Sequence, residues 1–399
     1  MDEPTKLKVL AIEYIDQIKD EILEISHRIH DNPELGFQEF SAVQMLVAVM
    51  KREGFDVELG VAGLPTAFTG EFGNSGPDIV TIGITAEYDA LPGLGHACGH
   101  NIIASSALGA ALALKYLLVA GLVKGRVKVF GTPAEEGGGG KVIMARVGVF
   151  NGVTAVLAMH PSQSNVVGGS CLALRTFDMR FRGRPAHSAA SPELGINALD
   201  AVIETFNAIN ALRQQVKPDV RIHGIITDGG TAVNIVPDYA AARIVVRSAQ
   251  REYLAEVAIK VENCARGAAL QTGATLEIKQ ELPLENMLEC PPLARLAKVN
   301  MEALGLQVED YTGVVVPASS DLGDVSQVVP THEASLQIVT ADVGYHTEAF
   351  REAAASPEGD AAVINGAKML AMTALDLLTS EENVVEVRRA FEIASGARA

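Results

Sequence analysis

The chain has 399 residues, 48% of them hydrophobic and 20% charged, with a formal net charge of −17. That length exceeds one ordinary hydrophobic core and predicts two or three domains of a globular protein. The acid excess contains no basic block, which excludes nucleic acid and anionic membrane surfaces as expected partners.

The amino terminus begins Met1-Asp-Glu-Pro, with no basic segment leading into an apolar one, so no signal peptide is expected. Ile15, Ile18, Ile22, Ile25 and Ile29 recur at three and four residues and predict an amphipathic first helix packed on a sheet. His27 and His30 close that stripe, ahead of Asp31-Asn-Pro-Glu-Leu-Gly36, and read as surface or capping residues. An apolar run, Asp78–Thr85, then predicts a strand. It leads into Ala86-Glu-Tyr-Asp-Ala-Leu-Pro-Gly-Leu-Gly-His-Ala-Cys-Gly-His-Asn101, and a small-residue helix pattern follows from Ile102 to Leu118. The Ile102–Val119 stretch is the most membrane-like in the chain, but it is rich in Ala, Ser and Gly and carries Lys115, so no span is expected. Three more strand patterns follow: Arg126–Phe130, Gly152–Met159 and Ser335–Thr340. Between the last two lies a different pattern, with strands at Leu172–Arg182, Arg221–Thr227, Tyr239–Arg247 and Thr275–Gln280. Helices are expected at about Gly195–Gln214 and Glu252–Leu270. The β-α-β-β-α-β order is that of a ferredoxin-like domain. The expected organisation is α/β with two domains: residues 1–171 and 283–399 forming one domain around a mixed sheet, and 172–282 inserted into it. A helix at about Asp360–Leu378 closes the chain.

The chemistry gathers at strand ends. The run ending at Thr85 leads to Cys98 and His100, the one ending at Phe130 to Glu135 and Glu136, the one ending at Met159 to His160, and the one ending at Thr340 to His346. If those strands are parallel, every one of these side chains arrives at the same edge of the sheet, where open α/β sheets bind ligands. Thiolate, imidazole and carboxylate together suit zinc or another borderline-soft divalent ion. Glu135 and Glu136 are adjacent, so their side chains are expected to diverge, one toward a metal and the other toward the open position where a base is needed. Gly137–Gly140 with Lys141 fails as a phosphate loop, because Glu135 stands where the first glycine should be and Val142 follows the lysine. Cys98 read instead as a thiol nucleophile would draw its base from His160 or His346. The surplus of ligand-type residues favours metal. The four cysteines, Cys98, Cys171, Cys264 and Cys290, have no paired spacing, and a reducing cytoplasm is the expected location.

Several stretches together resemble the aminoacylase and carboxypeptidase-G type of metallopeptidase, in its amidohydrolase subgroup. They are His27–Gly36, Ala86–Asn101, Pro133–Gly137, Gly183-Arg-Pro-Ala-His-Ser-Ala189, Val233-Asn-Ile-Val-Pro237, Ser319–Ser326 and Gly344-Tyr-His346. The wording of Ala86–Asn101 is nearest to the branch of basic-dipeptide and p-aminobenzoyl-glutamate hydrolases. The resemblance implies hydrolysis of an amide joining an acyl or aminoacyl group to an amino acid with a free carboxylate. It implies two divalent ions per subunit, zinc or manganese with cobalt a third option, on Cys98, His100, Glu136, His160 and His346, with Cys98 as the bridge. Glu135 is implied as general base and Asp89 as the carboxylate that orients a ligand, with Glu87 standing where many relatives carry a histidine. The inserted domain is implied to be a lid and the contact of a homodimer. From it His187 would stabilise the oxyanion, and Asn234 and Arg247 would hold the substrate carboxylate. A catalytically silent binding protein on the same scaffold is disfavoured, because no expected ligand or base is missing.

Overall fold

The structure is a computed structural model and describes residues 3–76 and 78–396. The chain divides into two compact units. One takes the residues up to Ser170, Leu288–Val314 and the chain from Asp324, and the other takes Cys171–Met287 and Val315–Gly323.

The first unit is built on a mixed sheet. Helix α1 (Glu3–Asp31) buries Ile15, Ile22, Ile25 and Ile29 in the core, and Ile18 packs half-buried against it. Helix α2 (Phe40–Arg52) leads into strands β1 (Asp56–Leu59) and β2 (Phe68–Gly73). Strand β3 (Thr81–Ala86), helix α3 (His100–Val119), strand β4 (Arg126–Gly131), helix α4 (Gly140–Arg146) and strand β5 (Ala155–Ser162) follow. The sheet order is β1, β2, β4, β3, β5, then Thr331–Gln337, Val166–Val167 and Glu309–Asp310. Strand β3 pairs in parallel with β4 and β5, and Thr331–Gln337 pairs in parallel with β5. The β1–β2 and β2–β4 pairs are antiparallel. All six residues of β3 are buried, as expected of a parallel strand covered on both faces.

Helix α3 packs with α1 and with the helix Pro357–Leu378. Its small residues permit that approach: a Cβ on Gly109 would meet Ile22 and Ala367 at 3.0 Å. Both α3 and Pro357–Leu378 are long and apolar enough to cross a membrane, yet most of each is buried in the core.

One strand sits differently from expectation. The run assigned to Ser335–Thr340 begins at Thr331 and ends at Gln337. His332 and Glu333 interrupt the apolar pattern, but parallel pairing with Leu157 and Ala158 of β5 holds them in the sheet, and Val166 pairs further on with Ser335. As a result His346 lies on the loop well beyond the strand end; separately, β5 runs on to Ser162, so His160 lies within it, not past it.

The second unit is a four-stranded antiparallel sheet ordered Thr275–Gln280, Ala173–Arg182, Tyr239–Ser248, Arg221–Asp228. The helices Ala198–Leu212 and Arg251–Thr272 lie between strands in the chain. Phe177, Met179, Phe181, Ile244 and Val246 form its core with Val202, Ile209, Leu254, Val257 and Val261. The segment Val315–Gly323 returns to this unit. Leu172 donates its N–H to Ala318 O at 2.8 Å, and Ser319 Oγ donates to Leu172 O at 2.7 Å.

Candidate metal centre

Cys98 and His100 flank Gly99, whose φ of 74° caps the start of α3. Any side chain there would strike Pro161 of β5, 2.5 Å from an added Cβ. This turn places the thiol and the first imidazole of the helix against the neighbouring strand. Three sets of ligand atoms then lie within 4.8 Å of one another: Cys98, His100 and His160; Cys98, Glu136 and His346; and His100, Glu135 and Glu136. Two ligands across one ion stand at most about 4.6 Å apart, given bonds of about 2.0–2.3 Å. Each set is therefore within reach of a single cation with little movement.

The ring nitrogens are sorted for ligation. His100 Nδ1 lies 3.0 Å from Asp89 Oδ1, which accepts its N–H and so keeps the proton on Nδ1 and leaves Nε2 as the nitrogen with a lone pair. His160 Nδ1 donates to Pro161 O at 2.7 Å, and its Nε2 faces Cys98 Sγ at 3.5 Å. Asp89 Oδ2 accepts the backbone N–H of Glu136 at 2.9 Å, so one buried carboxylate fixes two of the candidate ligands. His100 Nε2 and Glu136 Oε1 are sealed from solvent and make no hydrogen bond. His346 Nε2 approaches that oxygen at 3.2 Å, but off the hydrogen-bonding direction. Leaving buried polar atoms without partners is destabilising, and a divalent cation satisfies both. The residues present therefore fit a metal.

The charges agree. Burial opposes ionisation of Cys98, yet His160 and its neighbours hold the thiol well below its ordinary range. His160 is buried as well, yet the Cys98 charge raises it well above the usual imidazole value. Burial and the Cys98 charge push Glu136 up to about 7. Asp89 is held at about 2, against its burial, by His100. A cation replaces the protons shared in such a cluster.

Glu135 and Glu136 do not diverge. A carboxylate oxygen of each falls in the same set with His100. Ala134, just before them, has a φ of 58°, left-handed and unusual for a residue with a Cβ. It folds the loop into a turn, and Gly138 and Gly139 donate back to Ala134 O at 3.0 and 2.8 Å. His346, at φ 59°, is a second such residue in the centre.

Some partners of the centre escape sequence reasoning. Lys141 Nζ lies 2.8 Å from Glu87 Oε1, with both side chains buried, and Glu87 Oε2 lies 3.5 Å from His100 Nε2. Glu87 two residues before Asp89 is visible in the sequence. That Lys141 reaches it is not, because only the turn at Gly137–Gly140 brings them together. Asn101 is also buried, and its Nδ2 donates to Ser26 Oγ and Ala354 O. His27 and His30 lie outside all three ligand sets: His27 pairs with Asp360 at 2.6 Å and His30 with Arg351 O at 2.8 Å.

The remaining candidates belong to the second unit. His187 is exposed, and its Nδ1 accepts the N–H groups of Ala189 and Ala190 at 3.2 and 3.1 Å. Its proton is therefore on Nε2, which is left as a donor. Asn234 is exposed, and its carbonyl accepts from Ser188 N at 3.0 Å. Arg247 is half-buried, donates to Ser319 Oγ at 3.0 Å, and is lowered by that burial.

A mixed α/β sheet with thiol, imidazole and carboxylate side chains gathered at and near the carboxyl ends of its parallel strands fits a metallohydrolase. The sequence profile of Peptidase family M20/M25/M40 matches residues 83–375. The Xaa-Arg dipeptidase of Mus musculus is 37% identical over 398 residues, covering 97% of this chain and 92% of that protein. A p-aminobenzoyl-glutamate hydrolase chain of Escherichia coli (strain K12) is 36% identical over 275 residues, 64% of this chain and 56% of that one. Among solved structures, a dinuclear metal binding peptidase of the M20 family from Bacillus subtilis aligns with a TM-score of 0.70 at 22% identity, covering 91% of this chain and 99% of that one. An aminobenzoyl-glutamate utilization protein from Klebsiella pneumoniae aligns with a TM-score of 0.71 at 20% identity, covering 91% and 97%. These structural likenesses carry the fold. The chain belongs to peptidase family M20/M25/M40 and is a hydrolase of amide bonds.

Proposed function

We propose that the protein hydrolyses the amide of N-acyl amino acids or dipeptides whose leaving amino acid has a free carboxylate. The observation that carries this reading is the convergence of Cys98, His100, Glu135, Glu136, His160 and His346. Cys98, His100, Glu136, His160 and His346 would hold two divalent ions, zinc or manganese, with cobalt a further option. Cys98, His100 and Glu136 each belong to two ligand sets. An imidazole nitrogen has one lone pair to give, so the bridge falls to thiolate or carboxylate. We assign it to Cys98, whose sets include His160 on one side and His346 on the other. Bound there, the ions would polarise the scissile carbonyl and make water acidic enough to attack near neutral pH.

Glu135 takes one proton from the attacking water. The oxygen bonds to the carbonyl carbon, the C–N bond breaks, and Glu135 returns the proton to the leaving nitrogen. Asp89 holds the His100 ring and the Glu136 backbone in place. His187 supplies a donor from Nε2 to the developing oxyanion, and Asn234 and Arg247 hold the substrate carboxylate.

The second unit reads as a ferredoxin-like lid through which a homodimer forms. Its strand Arg221–Asp228 is one of the two edge strands of the sheet, with Ile225 63% and Ile226 46% exposed, which favours burial against another copy. The cytoplasmic reading is supported by four free cysteines, with Cys98 among the ligand sets.

The substrate class is tested by hydrolysis of a panel: dipeptides ending in arginine or lysine, N-acetyl amino acids, and p-aminobenzoyl-glutamate. Turnover of the first group favours the dipeptidase reading, and turnover of the last alone favours the alternative within the same family. No hydrolysis of any amide by metal-loaded protein contradicts the proposal.

A further inference from the structure

We infer that Glu39 is a positioning residue for the catalytic turn, acting through the backbone of Ala134. This rests on the reading of Glu135 as base and Glu136 as ligand. Glu39 lies just before α2, 0% exposed, remote in sequence from every residue of the centre. Its Oε1 accepts the N–H of Ala134 at 2.9 Å, and its Oε2 accepts the hydroxyl of Thr66 at 2.7 Å. Thr66 is held in turn, because Tyr88 OH donates to its carbonyl at 2.6 Å. Burying a carboxylate is unfavourable, and this one directs both oxygens to neutral donors in place of a cation.

The atom it holds explains why the burial is tolerated. Ala134 is the left-handed residue that opens the turn carrying Glu135 and Glu136, and it sets the direction in which both leave β4. Alanine resists that conformation where glycine would not. The position nonetheless has little spare room: a Cβ built on Gly36 would stand 2.8 Å, and one on Gly138 2.5 Å, from the Ala134 Cβ. Packing fixes the methyl and Glu39 fixes the amide. Two residues on, Asp89 Oδ2 accepts Glu136 N at 2.9 Å. The backbone on both sides of Glu135 is therefore pinned by a buried carboxylate, one from the approach to α2 and one from the end of β3. With both pins in place the base and the ligand can face one centre; with the first removed, the turn can relax to right-handed geometry and swing the Glu135 carboxylate away. Displacement of about 1 Å in a reacting group can cost ~10²-fold in rate.

The test uses variants of the full chain, read by steady-state kinetics, metal affinity and thermal stability. Glu39→Leu removes both acceptors, and kcat should fall by ~10²-fold with KM changed much less. Metal affinity, read by competition with a chromophoric chelator, should weaken because Glu136 moves too. Glu39→Gln retains an acceptor for Ala134 and a polar partner for Thr66, and it should restore most of both. Adding Ala134→Gly to Glu39→Leu should recover part of the loss, because glycine needs no holding in the left-handed turn. If Glu39→Leu does not fold, Glu39→Asp takes its place: it keeps the charge but falls one methylene short of Ala134, and the same double loss is expected. Wild-type kcat and metal affinity in Glu39→Leu or Glu39→Asp overturn the inference, as does a loss confined to thermal stability. Glu135→Gln is run alongside. If it retains full turnover, the assignment of the base fails, whatever Glu39 does; if it is inactive while the Glu39 variants are normal, only the present inference fails.

Discussion

Asp89 Oδ1 stands 3.0 Å from His100 Nδ1, with both side chains closed to solvent. This contact fixes the ring and leaves Nε2 as the nitrogen with a lone pair, and in the proposed function Asp89 is the carboxylate that orients His100 toward the metal. Glu87, two residues earlier, pairs through Oε1 with Lys141 at 2.8 Å, while its Oε2 lies 3.5 Å from His100 Nε2.

Replacing Asp89 should therefore weaken metal binding before anything else. In Asp89→Ala the His100 ring loses its anchor and Glu136 N loses its acceptor. Affinity for the divalent ion should fall ~10–100-fold, the usual effect of losing such an outer partner. Competition with a chelator measures it, and an unchanged affinity would show that packing alone orients His100.

The two adjacent glutamates should separate by readout. Glu135→Gln keeps the size of the side chain and removes the proton acceptor, so turnover should fall ~10²–10⁴-fold with metal content near wild type. Glu136→Gln should lose metal. A metal-replete, inactive Glu136→Gln beside a metal-poor Glu135→Gln would reverse the assignment.

His187 should act on catalysis without touching the metal. Its Nδ1 is occupied by two backbone amides, so its donor is Nε2. Removing an oxyanion donor costs ~3 kcal/mol, so His187→Ala should lose ~10²-fold in turnover. If the residue serves the partner of a dimer, mixing His187→Ala with Glu135→Gln under subunit exchange should recover activity, because one site of the heterodimer then has neither defect. Confirmed exchange with no recovery means that His187 works in its own chain or not at all.

The fold should weaken in mild acid through His332. This residue is buried in the strand Thr331–Gln337, and burial lowers it from 6.5 to about 4. The unfolded chain takes up the proton first, so the contribution is flat above about pH 6.5. It turns destabilising as the pH falls from there toward about 4. At ~1.4 kcal/mol per pH decade, that interval amounts to about 3 kcal/mol. His332→Leu should flatten the dependence of the denaturation midpoint on pH between 6.5 and 4, whatever its effect at pH 8. An unaltered slope would assign the acid sensitivity to other groups.

What is legible in the sequence is what the side chains advertise. Cys98, His100, Glu136, His160 and His346 are metal-type residues following apolar runs, and parallel pairing of β3, β4, β5 and Thr331–Gln337 gathers those runs side by side. The last strand is displaced from its expected position because His332 and Glu333 look like an end, whereas parallel pairing with β5 absorbs them. Glu39, Thr66 and Lys141 are silent for another reason. Their partners lie far off in the chain, as with Glu39 and Ala134, 95 positions apart, and no local pattern encodes such a contact. Nor does periodicity reveal that an alanine will be held at positive φ. The divergence expected of Glu135 and Glu136 fails within the turn that this residue opens, where a carboxylate oxygen of each falls in one set with His100.

The central claim is that a cation on the Cys98–His346 cluster is required for amide hydrolysis. Its most direct test is elemental analysis of the purified protein through a cycle of chelation and reloading, with hydrolysis of an N-acyl amino acid or dipeptide followed in parallel. The expected result is two divalent ions per chain, activity lost with the metal, and activity regained with it. Full turnover by metal-free protein, abolished by alkylating Cys98, would contradict the account and make the Cys98–His160 contact of 3.5 Å the working pair of a thiol hydrolase.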